Sequence, residues 1–223
     1  MRPMLVAACL FFALPAHAET LLRLSESAQI AVHPDRLSAG LRFEADGATP
    51  AEVQTKVNSA MAAALAQAKA TAGVSASTGG YNVWQTQATA QAPKRWRAAQ
   101  GLDIFGSDGA VVLTLVGTLQ GQGLTVQQLG WQLAPETARR AHAAALQMAL
   151  KSVRGRADEA AAALGLTFVL FKTVNLDPNG ISPRMLTMAA PMARAAMAAP
   201  VAEAADITVE ARIEAEAILD KKP

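Results

Sequence analysis

The sequence predicts an α+β fold, in which helices pack on mainly antiparallel sheet. Three observations lead there. Short alternating apolar runs recur along the chain. Two longer stretches carry helical spacing behind recognisable start signals. The elements follow the order ββα-ββα-βα-ββ, in which three pairs of strands follow one another directly, and this favours antiparallel pairing.

Thr20 to Val32 alternates and reads as a strand. His33-Pro34-Asp35 is a turn signal. Leu37 to Ala45 alternates again, and the pair reads as an antiparallel hairpin. A helix follows, with Thr49 as N-cap, Pro50 at the first helical position and Glu52 closing a capping box. Val53, Val57, Ala60, Met61, Ala64 and Ala68 recur at helical spacing and face the core. Gly73 ends this helix. Val74 to Ala90 reads as a strand bent at Gly79-Gly80, and Trp96 to Phe105 as another.

Ala110 to Val116 supports two readings. Its β-branched residues favour a strand, whereas Ser107-Asp108-Gly109 offers the cap of a short buried helix. The order given above counts it as a helix. Leu124 to Leu133 alternates as a strand. Pro135 and Glu136 open the longest helix, which runs to about Leu164. Leu146, Leu150, Val153, Ala157, Ala160 and Leu164 form its expected packed stripe, and Gly165 ends it. Thr167 to Val174 reads as a strand. From Pro178 to about Ala204 the chain is low in complexity and reads as a long loop. Asp206 to Ile218 alternates cleanly and reads as a half-exposed final strand.

Residues 1–18 read as a bacterial secretory signal peptide. Arg2 precedes an apolar run from Met4 to Leu14, and Pro15 precedes the small-x-small site Ala16-His17-Ala18. Val6-Ala7-Ala8-Cys9 has the look of a lipobox. However, Cys9 lies too close to Arg2, and Leu10 to Leu14 stay apolar after it. The expected mature chain is therefore 19–223, a single domain in the periplasm.

Composition narrows the chemistry. Cys9 is the only cysteine, so the mature chain has no thiol nucleophile, disulfide or cysteine metal site. Net charge is +2 with no basic block, which argues against a nucleic-acid partner. After the leader the longest apolar stretch is Ala110 to Val116, far short of the ~20 residues needed to span a bilayer.

The stretch Arg95-Trp96-Arg97-Ala98-Ala99-Gln100, then Thr118-Leu119-Gln120, then Leu124 to Leu133 resembles the centre of the SIMPL-domain family. Glu136 to Arg140, Lys151 to Asp158, Ala163-Leu164-Gly165 and the early Pro34-Asp35 agree with it. The resemblance covers about Leu22 to Ile218. It implies an α+β envelope domain, usually behind a signal peptide. Its name comes from a member that interacts with a protein kinase. Bacterial members are mostly of unknown function, some described as immunogenic, with suggested links to oxidative stress. The resemblance implies a helix at Ala110 to Val116 and carries no catalytic residues.

No residue is assigned a catalytic, cofactor-binding or metal role, and no cofactor is expected. His33 and His142 are far apart in sequence and form no HxH or HxxxH pair. Ser25-Glu26-Ser27 and Ser75-Ala76-Ser77 lack a Gly-x-Ser-x-Gly setting. Glu210, Glu214 and Glu216 share one strand face with Arg212 and Thr208, as a solvated face does. Gly121-Gln122-Gly123 is too short for a phosphate loop. Met185, Met188, Met192 and Met197 are thioethers that can bind Cu(I), but at irregular spacing. Trp96 and Trp131 read as packing residues that an interface can also use. The resulting expectation is a non-enzymatic periplasmic protein acting by protein contact or self-association. A small-ligand or metal-binding protein of the envelope stress response is the alternative. Exposed strand edges, Asp206–Ile218 among them, are the places where a partner chain would pair.

Overall fold

The computed structural model describes residues 19–87, 94–176 and 202–221. Residues 1–18, expected to be a leader, the four clustered methionines and most of the low-complexity segment lie outside them. In chain order the elements are β1 (Thr20–Val32), β2 (Arg36–Gly47), α1 (Pro50–Ala70), β3 (Val74–Gln85), β4 (Trp96–Gly106), α2 (Gly109–Gly121), β5 (Thr125–Gln132), α3 (Pro135–Ala163), β6 (Leu166–Leu176) and β7 (Ile207–Lys221). They form an α+β fold with two antiparallel sheets, ordered β1-β7-β6 and β3-β4-β2-β5. The described residues divide into two compact units, residues 19–27, 146–176 and 212–221 in one and the remainder in the other.

The larger unit is built on the four-stranded sheet. In β2 the odd residues Leu37, Ala39, Leu41 and Ala45 are buried, and in β4 Ala98, Leu102 and Ile104. They join α1 and α2 in one core. At roughly 2 kcal/mol for each fully buried aliphatic side chain, this burial is the main favourable term. The start of α1 follows the sequence signal. Thr49 Oγ1 accepts from the Glu52 N–H at 3.2 Å, and the Glu52 carboxylate accepts from the Ala48 N–H at 2.8 Å. Val53, Val57, Met61, Ala64 and Ala68 are buried, while Ala60 is only half-buried.

Ala110 to Val116 is helical, as the resemblance implied. The Asp108 carboxylate accepts from the N–H groups of Ala110 and Val111, at 2.9 and 3.2 Å. Val112, Leu115, Val116 and Leu119 are buried on one side. Capping and core burial outweigh the small helix penalty of the β-branched residues. Gly109 lets Trp131 approach, since a Cβ there would lie 2.7 Å from Trp131 Cζ2.

The expected β1–β2 hairpin does not form. β2 pairs with β4 and β5 on its two sides, whereas β1 pairs with β7. The β2 edges are thus filled by strands whose inward residues complete the same core. Asp35, expected as a turn residue, has a second task. Its carboxylate accepts from the Ala134 N–H at 2.6 Å and the Thr137 hydroxyl at 2.5 Å. Ala134 stands where α3 needs a cap and has no side-chain acceptor. Asp35, 99 residues away, bonds the Ala134 N–H and the Thr137 side chain beside that helix start.

The smaller unit holds residues 20–27 of β1, all of β6, residues 212–221 of β7 and the C-terminal part of α3. Glu26 on β1 accepts from Ser152 at 3.2 Å and pairs with Arg156 at 2.5 Å. Arg154 lies over the Phe168 ring of β6, 4.0 Å from its centroid. The helix therefore reaches both outer strands and lies over β7. Ala149, Val153, Ala157 and Ala161 are its buried stripe in this unit. Only Val153 and Ala157 were expected there. Leu150 is 39% and Leu164 60% exposed, so the packed face is turned away from the leucines. Small residues on both sides, Ala215 and Ala217 on β7, allow close helix–sheet approach.

Asp206–Ile218 was expected as a half-exposed strand with an open edge. One face is buried and the other open to solvent as expected, but β7 is the central strand, with neighbours on both sides. Its Val209, Ala211, Ile213, Ala215, Ala217 and Leu219 are buried on one face.

Candidate interaction surface

A helix is about 10 Å across, and three strands span about the same width between their outer axes. One helix thus covers β7 and leaves the flanks of the sheet half-bare. On β1 the inward residues Leu22, Leu24, Ala28, Ile30 and Val32 are half-buried, none fully. On β6 the exposure is greater. Val169, Leu170, Val174 and Leu176 are all exposed, and Leu164 precedes them in the helix–strand turn. Eight of the nine exposed large apolar side chains among the described residues belong to this small unit, Tyr81 being the exception. Scattered surface leucines need no explanation, whereas a concentration on one unit does.

The opposite face of the same sheet is polar. Cross-strand rows run Arg23–Glu216–Thr173 and Ser25–Glu214–Asn175. Arg23 donates to Glu216 at 2.8 Å. These rows line an open cleft of about 520 Å³.

The backbone pattern of the edges is equally informative. Four strands are edges: β1, β6, β3 and β5. β6 is bulged at Val169 and at Lys172, where one extra residue interrupts its register against β7. β3 is bulged between Thr78 and Tyr81, and β5 at Gln127. Bulges and an edge lysine discourage pairing with a further strand. The side-chain pairs Arg23–Glu216, Gln29–Glu210 and His33–Asp206 keep one antiparallel register throughout.

The residues singled out in sequence fall as follows. Ser25 and Ser27 are exposed, while Glu26 points to the helix side, so strand alternation keeps that carboxylate from both hydroxyls. Ser75 and Ser77 are exposed on β3 opposite Phe105 and Asp103. His33 contacts Asp206 at 3.2 Å, with both side chains exposed. His142 lies on α3, in the other unit from Glu26. Glu210, Glu214 and Glu216 alternate along the solvent side of β7, two of them engaged by Gln29 and Arg23. Gly123 adopts φ +91° after α2. Trp96 and Trp131 pack against the core, and Trp131 Nε1 donates to the Ala202 carbonyl at 3.1 Å. No group of three or more His, Cys, Asp or Glu is placed to hold a metal among the described residues. No described helix is long and apolar enough to cross a membrane.

Charge perturbations are structural in origin. Hydrogen bonds from the Ala134 N–H and the Thr137 hydroxyl hold the Asp35 carboxyl below the usual carboxylate range. Lys56 and the Ala48 N–H do the same for Glu52, and Arg139 for Glu136. Asp46, with Glu44 adding to it, raises the Arg97 guanidinium. The Asp35 cap and the exposed apolar strand β6 escaped the sequence reading. For β6 the signal was present, since Val169-Leu170 and Val174 crowd apolar residues at positions alternation cannot all bury.

No curated protein matches the chain. The family model of SIMPL, described as a protein of unknown function (DUF541), matches residues 22–217. That match spans nearly all of both units, and the chain belongs to the SIMPL family.

Proposed function

We propose that this is a non-enzymatic protein of the bacterial envelope that works by contact with another protein, through its smaller unit. The observation that carries the reading is the gathering there of eight of the nine exposed large apolar side chains among the described residues. Leu164, Val169, Leu170, Val174 and Leu176 supply an apolar surface around an edge strand, the kind of patch that protein partners cover. The leader-like residues 1–18 support the periplasm as the place of action. A photo-crosslinking residue at Leu170, expressed in the native envelope, tests this. A discrete adduct that Val174→Lys abolishes, and that the exposed α1 position Ser59 does not form, is the expected result. Absence of any adduct specific to Leu170 would sink the reading.

A second reading rests on the polar cleft formed by the Arg23–Glu216–Thr173 and Ser25–Glu214–Asn175 rows, which suits a small polar ligand. Its test is thermal shift against a panel of small solutes, with Glu214→Ala as control.

A further inference from the structure

Among the described edge strands, β3, β5 and β6 carry a bulge, whereas the side-chain pairs along β1 keep one register from Arg23 to His33. β1 is also long, at 13 residues, and contains no proline. An edge of that kind is a template for another strand. Its side chains indicate which strand. The inward row reads Leu22, Leu24, Glu26, Ala28, Ile30, Val32. Laid antiparallel on a second copy of itself about Ser27, this row places Leu22 opposite Val32 and Leu24 opposite Ile30. Glu26 then faces Ala28, whose small side chain leaves the bond to Arg156 undisturbed.

The outward row is compatible in the same register. Arg23 faces Ala31, Ser25 faces Gln29, and Ser27 faces its own copy. Neighbouring registers fail. Centring on Glu26 sets two carboxylates face to face, and centring on Ser25 sets Glu26 against Leu24. Like charges directly opposite are destabilising, and a carboxylate set against an aliphatic chain loses the apolar pair.

We propose that β1 is a two-fold contact between two copies of this chain, pairing antiparallel about Ser27 and burying Leu22, Leu24, Ile30 and Val32 against their counterparts. The contact is isologous, so it closes as a dimer on this edge. The inference rests on the protein-contact reading and supplies one partner for it.

Ser27 is exposed, so changing it spares the fold. The chain without its leader has no cysteine, so Ser27→Cys introduces a single thiol. Opposed residues of an antiparallel pair lie within disulfide reach, at about 4.5–5.5 Å between Cα atoms. The proposal predicts a disulfide-linked dimer for Ser27→Cys under mild oxidation and none for Ser77→Cys on the bulged β3 edge. In analytical ultracentrifugation the unmodified chain is expected to dimerise with concentration. Ser27→Glu and Ser27→Lys should each be monomeric, and mixing the two should restore the dimer. A dimer that survives both charges and shows no preferential Ser27→Cys link overturns the β1 contact while leaving protein contact standing. A chain monomeric at every concentration overturns it as well. If Leu170 also gives no adduct in the envelope, the protein-contact reading falls with it.

Discussion

Asp35 accepts a hydrogen bond of 2.6 Å from the backbone N–H of Ala134, closing the start of a helix that follows it by 99 residues. A residue in a tight turn thus fixes where α3 begins. Asp35→Ala should cost ~1 kcal/mol, the usual net value of a hydrogen bond, because the Ala134 N–H and the Thr137 hydroxyl both lose their acceptor. Urea denaturation reads this directly. A midpoint unchanged from the parent would show that solvent replaces the cap without loss.

The same carboxyl makes stability depend on pH. Its folded-state pKa is lowered, so its contribution is present above the ordinary value of 3.8. That contribution is lost as pH falls through the folded-state value. Asp35→Asn should flatten the acid limb of the stability curve below about pH 4, relative to the parent. Denaturation midpoints at several acidic pH values check it, and parallel acid limbs would contradict it.

Thr49 and Glu52 form a near-reciprocal cap on α1. Thr49→Ala is expected to destabilise by about 1 kcal/mol, and Thr49→Asp by much less, since aspartate caps equally well. Thermal melts of the two variants distinguish lost capping from lost packing, because only the alanine variant loses an acceptor.

Gly109 is needed for room, not for an unusual φ. Its missing Cβ would lie 2.7 Å from Trp131 Cζ2, and Leu37 also borders it. Gly109→Ala should cost roughly 1–3 kcal/mol through overpacking. It should also shift Trp131 fluorescence. Restored stability in Gly109→Ala combined with Trp131→Phe would confirm that the clash is with the indole.

Ile213 is fully buried on the central strand of the smaller unit. Ile213→Ala should lose about 2–5 kcal/mol, whereas Val174→Ala on the exposed edge should change stability by under 1 kcal/mol. Equal losses at both sites would show that β6 is covered in solution.

The elements were legible in sequence where one signal was local. Thr49-Pro50-Glu52 started α1 as expected, and β1 occupies Thr20–Val32 as its alternation required. The partners were not legible. Alternation in β7 shows that one face is buried, but it is silent on whether neighbours lie on one side or two. The α3 stripe was misplaced because leucine is the default core residue in a helix. Here the sheet face presents Ala215 and Ala217, so alanines pack and leucines flank. Ala110 to Val116 stayed undecided because β-branched propensity and an Asp108 cap pulled opposite ways, and tertiary burial settled it. For the proposed contact, the bulges at Val169, Lys172, Gln127 and Thr78–Tyr81 depend on which strands pair, so β1 could not be told apart in sequence from the bulged edges.

The salt bridge from Arg23 to Glu216 joins positions 193 residues apart. The first strand of the described chain therefore waits for the last before it has any neighbour in its sheet. During synthesis β1 emerges early and stays unpaired until residues 207–221 follow. Such long-range closure is slow relative to local helix formation. In that interval neither edge of β1 has its native neighbour. The order of emergence thus makes β1 the strand whose pairing is decided last, although it is made first.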